Sequence, residues 1–399
     1  MSSEEHKQKV CILGSTGSIG VNTLNVIKVN AEQYDVFALT AKSQVDLLFQ
    51  QCMEFQPAYA VMLDSTAAKE LKSKLSNAGS SAEVLDGIEG LNFVAGHEQV
   101  DCVMAAIVGG AGLLPTLRAA QTGKKVLLAN KEALVMAGKL FMQFIEQSGA
   151  QVIPIDSEHN AIFQCLPINS QAQFTKQQGQ GVNKIVLTAS GGPFLNNTLA
   201  ELAQVTPEQA CKHPNWSMGP KISVDSATML NKALELIEAS ILFDLPAEHI
   251  DVLIHPQSVI HSMVYYLDGS VLAQLGNPDM RTPIAHGLAW PDRIESGVEE
   301  LNLCDIGQLN FQAADEEHFP CLRLGRESAL SNDSAPIILN AANEVAVAAF
   351  LQREVSFTQI PVIIEKVLNK QERRVVNSIE EILEEDNKAR SLAKKFASE

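Results

Sequence analysis

The chain has 399 residues, is 46% hydrophobic and 19% charged, and carries a net charge of −17. That length exceeds one ordinary domain and supports two or three, each with its own core. The acidic field repels phosphate-rich polymers and argues against nucleic acid as a partner, while a local basic pocket for a small anion stays open.

Residues 1–9 are polar and mixed in charge, unlike a signal or transit peptide. The longest apolar run, 103–114, is short and broken by glycines, so no bilayer span is expected and cytoplasm is the expected compartment. The seven cysteines are scattered, with no C-x-x-C pair. They read as reduced thiols packed as small hydrophobes rather than as a disulfide frame.

An apolar run at 10–13 meets Gly14-Ser15-Thr16-Gly17-Ser18-Ile19-Gly20, with helix-compatible sequence through Ile27. Glycines between a strand and a helix allow a tight turn and a close approach to a pyrophosphate at the helix N-terminus. The G-x-x-G-x-x-G spacing departs from G-x-G-x-x-G. What favours a dinucleotide over an ordinary glycine turn is its place after the first strand of an alternating series. Further apolar runs at 34–39, 59–63, 102–108, 125–129 and 151–155 alternate with helix-like stretches. This predicts a mostly parallel, doubly wound sheet. The second strand ends Leu39-Thr40-Ala41-Lys42-Ser43, with no carboxylate to grip ribose hydroxyls. Lys42 is either a neutraliser of a 2′-phosphate, favouring NADP, or a solvated surface lysine.

After the 151–155 run, Asp156 and Glu158 flank Ser157. Two such carboxylates repel unless a cation lies between them, and Mg²⁺ or Mn²⁺ prefers oxygen ligands. A helix N-terminus that favours acids is the alternative. A strand at 184–188 leads into Ser190-Gly191-Gly192-Pro193, an anion-binding or ordinary Gly-Gly turn. The turn-rich loop 212–220 carries His213 and Trp216 and is either a structural turn or a segment that closes over substrate.

A helix is expected over 226–242, with Ser226 and open amides at its N-terminus turned to an anion. Asn231 and Glu235 share a face with Lys232 beside them, able to bind a phosphate and a metal or to form a surface ion pair. Leu230, Leu234, Leu236 and Ile237 around Glu235 argue for a partly buried acid that needs a partner. Residues 252–254, 258–266 and 270–275 read as a second sheet and 291–320 as an irregular connector. Residues 335–351, 357–368 and 379–396 read as helices.

Several stretches resemble the 1-deoxy-D-xylulose 5-phosphate reductoisomerase family. They are 14–20, Ala129-Asn130-Lys131-Glu132, Pro154-Ile155-Asp156-Ser157-Glu158-His159-Asn160, 190–194, 213–219, 221–232 with Glu235, 255–263, 276–286, and Asn340-Ala341-Ala342-Asn343-Glu344. Together they span nearly the whole chain. The resemblance implies an α/β protein with a doubly wound, Rossmann-like NADPH-binding domain (1–155) and a central α+β catalytic and dimerisation domain (156–290). A connector (291–319) and a C-terminal helical bundle (320–399) would follow.

It also implies a cytoplasmic homodimer that uses NADPH and a divalent metal, Mg²⁺ or Mn²⁺, with no nucleic-acid or membrane partner. The substrate is a small sugar phosphate, 1-deoxy-D-xylulose 5-phosphate. It isomerises to an aldehyde that NADPH reduces to 2-C-methyl-D-erythritol 4-phosphate, in non-mevalonate isoprenoid synthesis.

By the same resemblance, Asp156, Glu158 and Glu235 hold the metal, and Lys131, Ser157 and Glu158 meet the reacting end. Ser190, Ser226, Asn231 and Lys232 hold the phosphate, with His213 nearby. Thr16, Gly17, Ser18, Ile19, Asn130, Glu132 and Gly219 bind NADPH, with Ala41, Lys42 and Ser43 at its adenosine phosphate. Trp216 and Met218 belong to a lid, Trp216 also facing substrate. The implied catalytic set is Lys131, Asp156, Glu158, His213 and Glu235.

The family commonly has Gly-Lys-Asn where this chain has Ala41-Lys42-Ser43, and glycine at Ala189, which requires φ below zero there. A metal-independent NADP oxidoreductase and a catalytically dead NADPH sensor are the competing readings. The three acids argue against the first, and the intact phosphate contacts against the second.

Overall fold

The computed structural model describes residues 7–167, 181–216 and 218–399. Residues 1–6 of the polar start and Ser217 of the 212–220 loop therefore lie outside the described residues. Short, mostly apolar runs, with the half-exposed β4 at one edge, become the strands of a parallel sheet. They are β1 (Gln8–Leu13), β2 (Tyr34–Ala41), β3 (Tyr59–Met62), β4 (Glu83–Asp86), β5 (Cys102–Ala105), β6 (Lys125–Leu128) and β7 (Gln151–Pro154). Their order is β4-β3-β2-β1-β5-β6-β7, every pairing parallel.

Helices such as Ser18–Val29, Val45–Phe55 and Leu113–Gln121 supply the crossovers that parallel neighbours need. The strand order reverses between β1 and β5, so the glycine loop after β1 opens at the switch point where such sheets bind ligands.

β4, short and half-exposed at the sheet edge, carries too little apolar pattern to be seen in sequence. The strand expected over 102–108 stops at Ala105. Beyond it, Ala106 N–H still donates to Leu13 O at 3.0 Å, but the Asn130 amide takes the carbonyls of Ile107 and Gly109.

The chain divides into two compact units, the first Met1–Ala133, Phe141–Asn160 and Asp279–Glu299. Helix Arg281–Ala289 lies in this unit, and a Cβ on its Gly287 would come within 2.5 Å of Ile155 Cδ1. Contacts thus divide the chain at other places than the boundaries 155, 290 and 319 expected from sequence.

The second unit holds Leu134–Leu140, Ala161–Pro278 and Glu300–Glu399. Its sheet contains β8 (Val182–Ala189), β9 (Ile250–Ile254), β10 (Ile260–Tyr266), β11 (Val271–Leu275) and β12 (Gln312–Ala313), in the order β11-β10-β8-β9-β12. Only β8 and β9 run parallel.

Helices Leu230–Leu242, Pro320–Leu330, Ala335–Leu351, Gln359–Lys370 and Ile379–Ala397 share one core, in which Leu234 and Ile237 join Leu324, Ile338, Leu339 and Ile364. A Cβ on Gly325 would fall 2.2 Å from that of Ala233, so only glycine lets these helices approach. The C-terminal helices are packed into the core of the second unit rather than standing apart. The expected connector contains a short helix, Leu303–Ile306, and β12.

One expected helix is corrected. Residues 226–242 form the end of helix Pro220–Ala227 and the whole of Leu230–Leu242, broken at Met229, whose φ is +60°. Among the described residues no helix is long and apolar enough to cross a membrane. All seven cysteines are free.

Candidate functional site

In the first unit the candidate residues gather at the carboxyl ends of β1, β2, β6 and β7. Gly14 takes φ +85°, and helix Ser18–Val29 starts at the extended Gly17. A Cβ on Gly20 would lie 2.4 Å from Gly14 O, so glycine is what lets the helix start sit against the loop. Gly17 and Ser18 are exposed and Thr16 and Ile19 half-exposed, which leaves this helix start, with its free amides, accessible.

At the end of β2, Ala41 is buried while Lys42 and Ser43 are exposed, with no acid among the three. Asn130 caps helix Lys131–Ser148, accepting from Ala133 N–H at 3.2 Å. Glu132 is buried in that helix's first turn.

Lys131 Nζ lies 2.7 Å from Asp156 Oδ2, and His159 Nδ1 lies 3.7 Å from the same oxygen. Burial alone would raise the Asp156 carboxyl. The Lys131 ammonium and His159 outweigh it and hold the group well below the usual carboxylate range. Ser157 donates to Glu158 Oε2 at 2.6 Å and so aims that carboxylate.

Sequence reasoning left Asn160 and His286 without roles. The Asn160 amide donates to Pro154 O at 2.8 Å and to His286 Nδ1 at 3.1 Å, bracing the turn that carries the acids. Burial, then Arg293 and Lys125, push His286 down to about 4, so the ring stays neutral and able to accept. Their separation of 126 positions leaves no local sequence signal.

In the second unit, β8 delivers Ser190. Ala189 is the last residue of the strand, and its φ is not positive, so its methyl is tolerated. Gly191 and Gly192 take φ +84° and +68°, and a Cβ on Gly192 would lie 2.8 Å from Ser226 O. The turn is therefore glycine by necessity, and it packs Gly192 against the backbone of Ser226.

His213 Nδ1 accepts from the backbone N–H groups of Asn215 at 3.1 Å and Trp216 at 3.0 Å. Nε2 then carries the proton and donates to Ser190 Oγ at 2.9 Å. That oxygen also accepts from Gly192 N–H at 3.1 Å, which leaves its own hydrogen to donate to an anion.

Ser226 does not open a helix, contrary to the expectation from sequence, but lies in the last turn of Pro220–Ala227. The next helix starts at Leu230, so Asn231 and Lys232 occupy its first turn. Asn231 and Lys232 both hydrogen-bond the fully buried Glu235.

Within residues 212–216, the Asn215 amide donates to Pro256 O at 2.8 Å and Ser258 Oγ at 2.9 Å. The half-exposed Trp216 ring lies 6.2 Å from that of His261. Met218 is half-exposed, and Gly219 caps helix Pro220–Ala227 in extended conformation.

Three family models match: 1-deoxy-D-xylulose 5-phosphate reductoisomerase over residues 10–138, its C-terminal domain over 152–243, and the DXP reductoisomerase C-terminal domain over 275–392. A reductoisomerase of that name from Ectopseudomonas mendocina is 60% identical over 386 residues, 97% of each chain. One from Cellvibrio japonicus is 58% identical over 388 residues, again 97% of each.

Among solved structures, the Zymomonas mobilis reductoisomerase in complex with NADPH matches with a TM-score of 0.90 and 46% identity, covering 100% of both chains. A DOX-P reductoisomerase in complex with NADPH, fosmidomycin and magnesium matches with a TM-score of 0.92 and 47% identity over 98% of both. With the glycine loop, the acids of the β7 turn and the serine–histidine turn all present, this chain belongs to the 1-deoxy-D-xylulose 5-phosphate reductoisomerase family.

Proposed function

We propose that Asp156, Glu158 and Glu235 together hold the divalent cation with which this reductoisomerase works. The enzyme converts 1-deoxy-D-xylulose 5-phosphate to 2-C-methyl-D-erythritol 4-phosphate and uses NADPH and magnesium. The observation that carries the metal assignment is the chemistry of its donor set, three carboxylates of which two sit against a cation. Asp156 pairs with Lys131 at 2.7 Å, and Glu235 is fully buried beside Lys232. Carboxylate oxygens suit a hard cation. When bound, the cation supplies Lewis acidity to the substrate's carbonyl and hydroxyl oxygens, and NADPH supplies the hydride.

The chain's own groups do the rest. Lys131 holds Asp156 in place, and Ser157 aims the Glu158 carboxylate at the reacting end. Ser190, Ser226, Asn231 and Lys232 hold the substrate phosphate, and His213 orients Ser190 toward it. Thr16, Gly17, Ser18, Ile19, Asn130, Glu132 and Gly219 bind the dinucleotide, with residues 41–43 at its adenosine end. By role, residues 1–155 bind NADPH, 156–290 carry catalysis and dimerisation, 291–319 connect, and 320–399 support.

The homodimer reading is supported by β11, an edge strand whose Val271 and Leu272 are 44% and 49% exposed and open to pairing with a second copy. We place the enzyme in the cytoplasm. The decisive assay mixes purified protein, deoxyxylulose phosphate, NADPH and Mg²⁺ and follows nicotinamide absorbance. Oxidation independent of either substrate or metal would overturn the reading.

Lys42 is the cation we assign to the 2′-phosphate. An exposed lysine–phosphate contact contributes on the order of 1 kcal/mol. Lys42→Ala should weaken NADPH binding roughly tenfold and leave NADH almost untouched. Equal loss of both nucleotides in a titration would make Lys42 structural.

Segment 213–219 is the lid that excludes water from the hydride step. Its amide exchange should slow when a substrate analogue and NADPH are both bound. Equal protection in free and bound enzyme would identify a static turn.

A further inference from the structure

Three polar side chains lie beneath the glycine loop, too deep to touch a nucleotide. Ser15 and Thr40 are 0% exposed and Gln51 is 6% exposed. Gly14 N–H donates to Thr40 Oγ1 at 2.8 Å, and Ser15 N–H to Thr40 O at 2.8 Å. Ser15 Oγ donates to Gln51 Oε1 at 2.7 Å, while Gln51 Nε2 donates to Ser15 O at 2.9 Å. Loop, strand end and helix Val45–Phe55 are thereby closed into one buried network. Thr40 directly precedes Ala41-Lys42-Ser43, so one residue ties the loop expected to meet the pyrophosphate to the strand end expected to meet the adenosine.

We propose that Ser15, Thr40 and Gln51 are positioning residues for the dinucleotide. They form a buried clamp that sets the depth of loop 14–20 and its alignment with the end of β2. Amides that bind a pyrophosphate must be held to a fraction of an ångström, and a loop of small residues cannot hold itself so. Gln51 uses both ends of its amide on Ser15. Hydrophobic residues there would leave the loop carbonyl and hydroxyl buried without these partners. The proposal rests on the reading of loop 14–20 as the NADPH site.

The test is a double-mutant cycle on nucleotide affinity, with Gln51→Leu, Ser15→Ala and the pair together. NADPH and NADH are titrated into folded protein by fluorescence, and substrate KM is measured at saturating NADPH. Each single variant should weaken both nucleotides roughly tenfold. The double variant should lose little more than Gln51→Leu alone, because the one hydrogen of the Ser15 hydroxyl goes to Gln51 Oε1. Substrate KM should stay near that of the parent.

This pattern differs from the NADPH-only loss expected for Lys42→Ala. Should Gln51→Leu fail to fold, Gln51→Glu keeps the acceptor for Ser15 Oγ but loses the donation to Ser15 O, and should give a several-fold loss for both nucleotides. Unchanged nucleotide affinity in folded variants, additive losses, or an equal rise in substrate KM would overturn the clamp. Parent enzyme that binds neither nucleotide would overturn the reading of the loop itself, before any variant is made.

Discussion

Glu235→Gln is expected to lower turnover by about three orders of magnitude while NADPH affinity stays near that of the parent. The substitution keeps shape and removes one negative charge from the cation assigned to Asp156, Glu158 and Glu235. Lewis-acid stabilisation supplies several kcal/mol, and each ~1.4 kcal/mol is worth about tenfold in rate. A second consequence comes from burial. Glu235 is 0% and Lys232 4% exposed, and the two form an ion pair within helix Leu230–Leu242. Removing one partner of a buried pair costs roughly 3–5 kcal/mol. The melting temperature should therefore fall as well, and retained NADPH binding is the control for folding. Turnover measured against Mg²⁺ concentration separates the effects, because part of the loss should return at high metal. Near-normal turnover at limiting Mg²⁺ would remove Glu235 from the metal shell.

Lys131→Met should lower kcat by roughly 10²–10³, the scale of losing one well-placed charge at a reacting centre. Lys131 opens helix Lys131–Ser148, where the helix dipole disfavours a cation, so its position there depends on another group. That group is Asp156 at 2.7 Å, with the two side chains 13% and 16% exposed. Without the ammonium, Asp156 keeps its burial and loses the largest influence opposing it. Arginine at the same position keeps the charge and should recover part of the rate. Steady-state kinetics decide: a Met variant with the parent's kcat would leave Lys131 outside the reacting end.

The first unit was the more legible in sequence. Strands β1 and β6 contain the apolar runs 10–13 and 126–128, and Gly14, Gly17 and Gly20 stand between a strand and a helix, where local steric freedom is the signal. The acids Asp156 and Glu158 are neighbours along the chain, so their proximity needed no fold to be seen. Residues 226–242 were misread because their propensity is helical throughout. The break at Met229 lies in a buried stretch, where tertiary packing overrides propensity.

Period, composition and local spacing were therefore enough, by themselves, to determine a doubly wound N-terminal sheet and to single out a candidate nucleotide loop and a candidate acid pair, and the resemblance carried on those motifs named the family. The tertiary structure alone decided the rest. It moved the helix start from Ser226 to Leu230, set the Nε2 of His213 against Ser190, and put Gln51 beneath Ser15. It also merged the C-terminal helices into one core with helix Leu230–Leu242. Each depends on partners far apart in the chain: 23 positions for Ser190 and His213, and 36 for Ser15 and Gln51. A hydrogen bond between distant residues leaves no periodic trace in sequence. It forms only after hydrophobic burial has brought the two elements together and removed the water that would otherwise satisfy them.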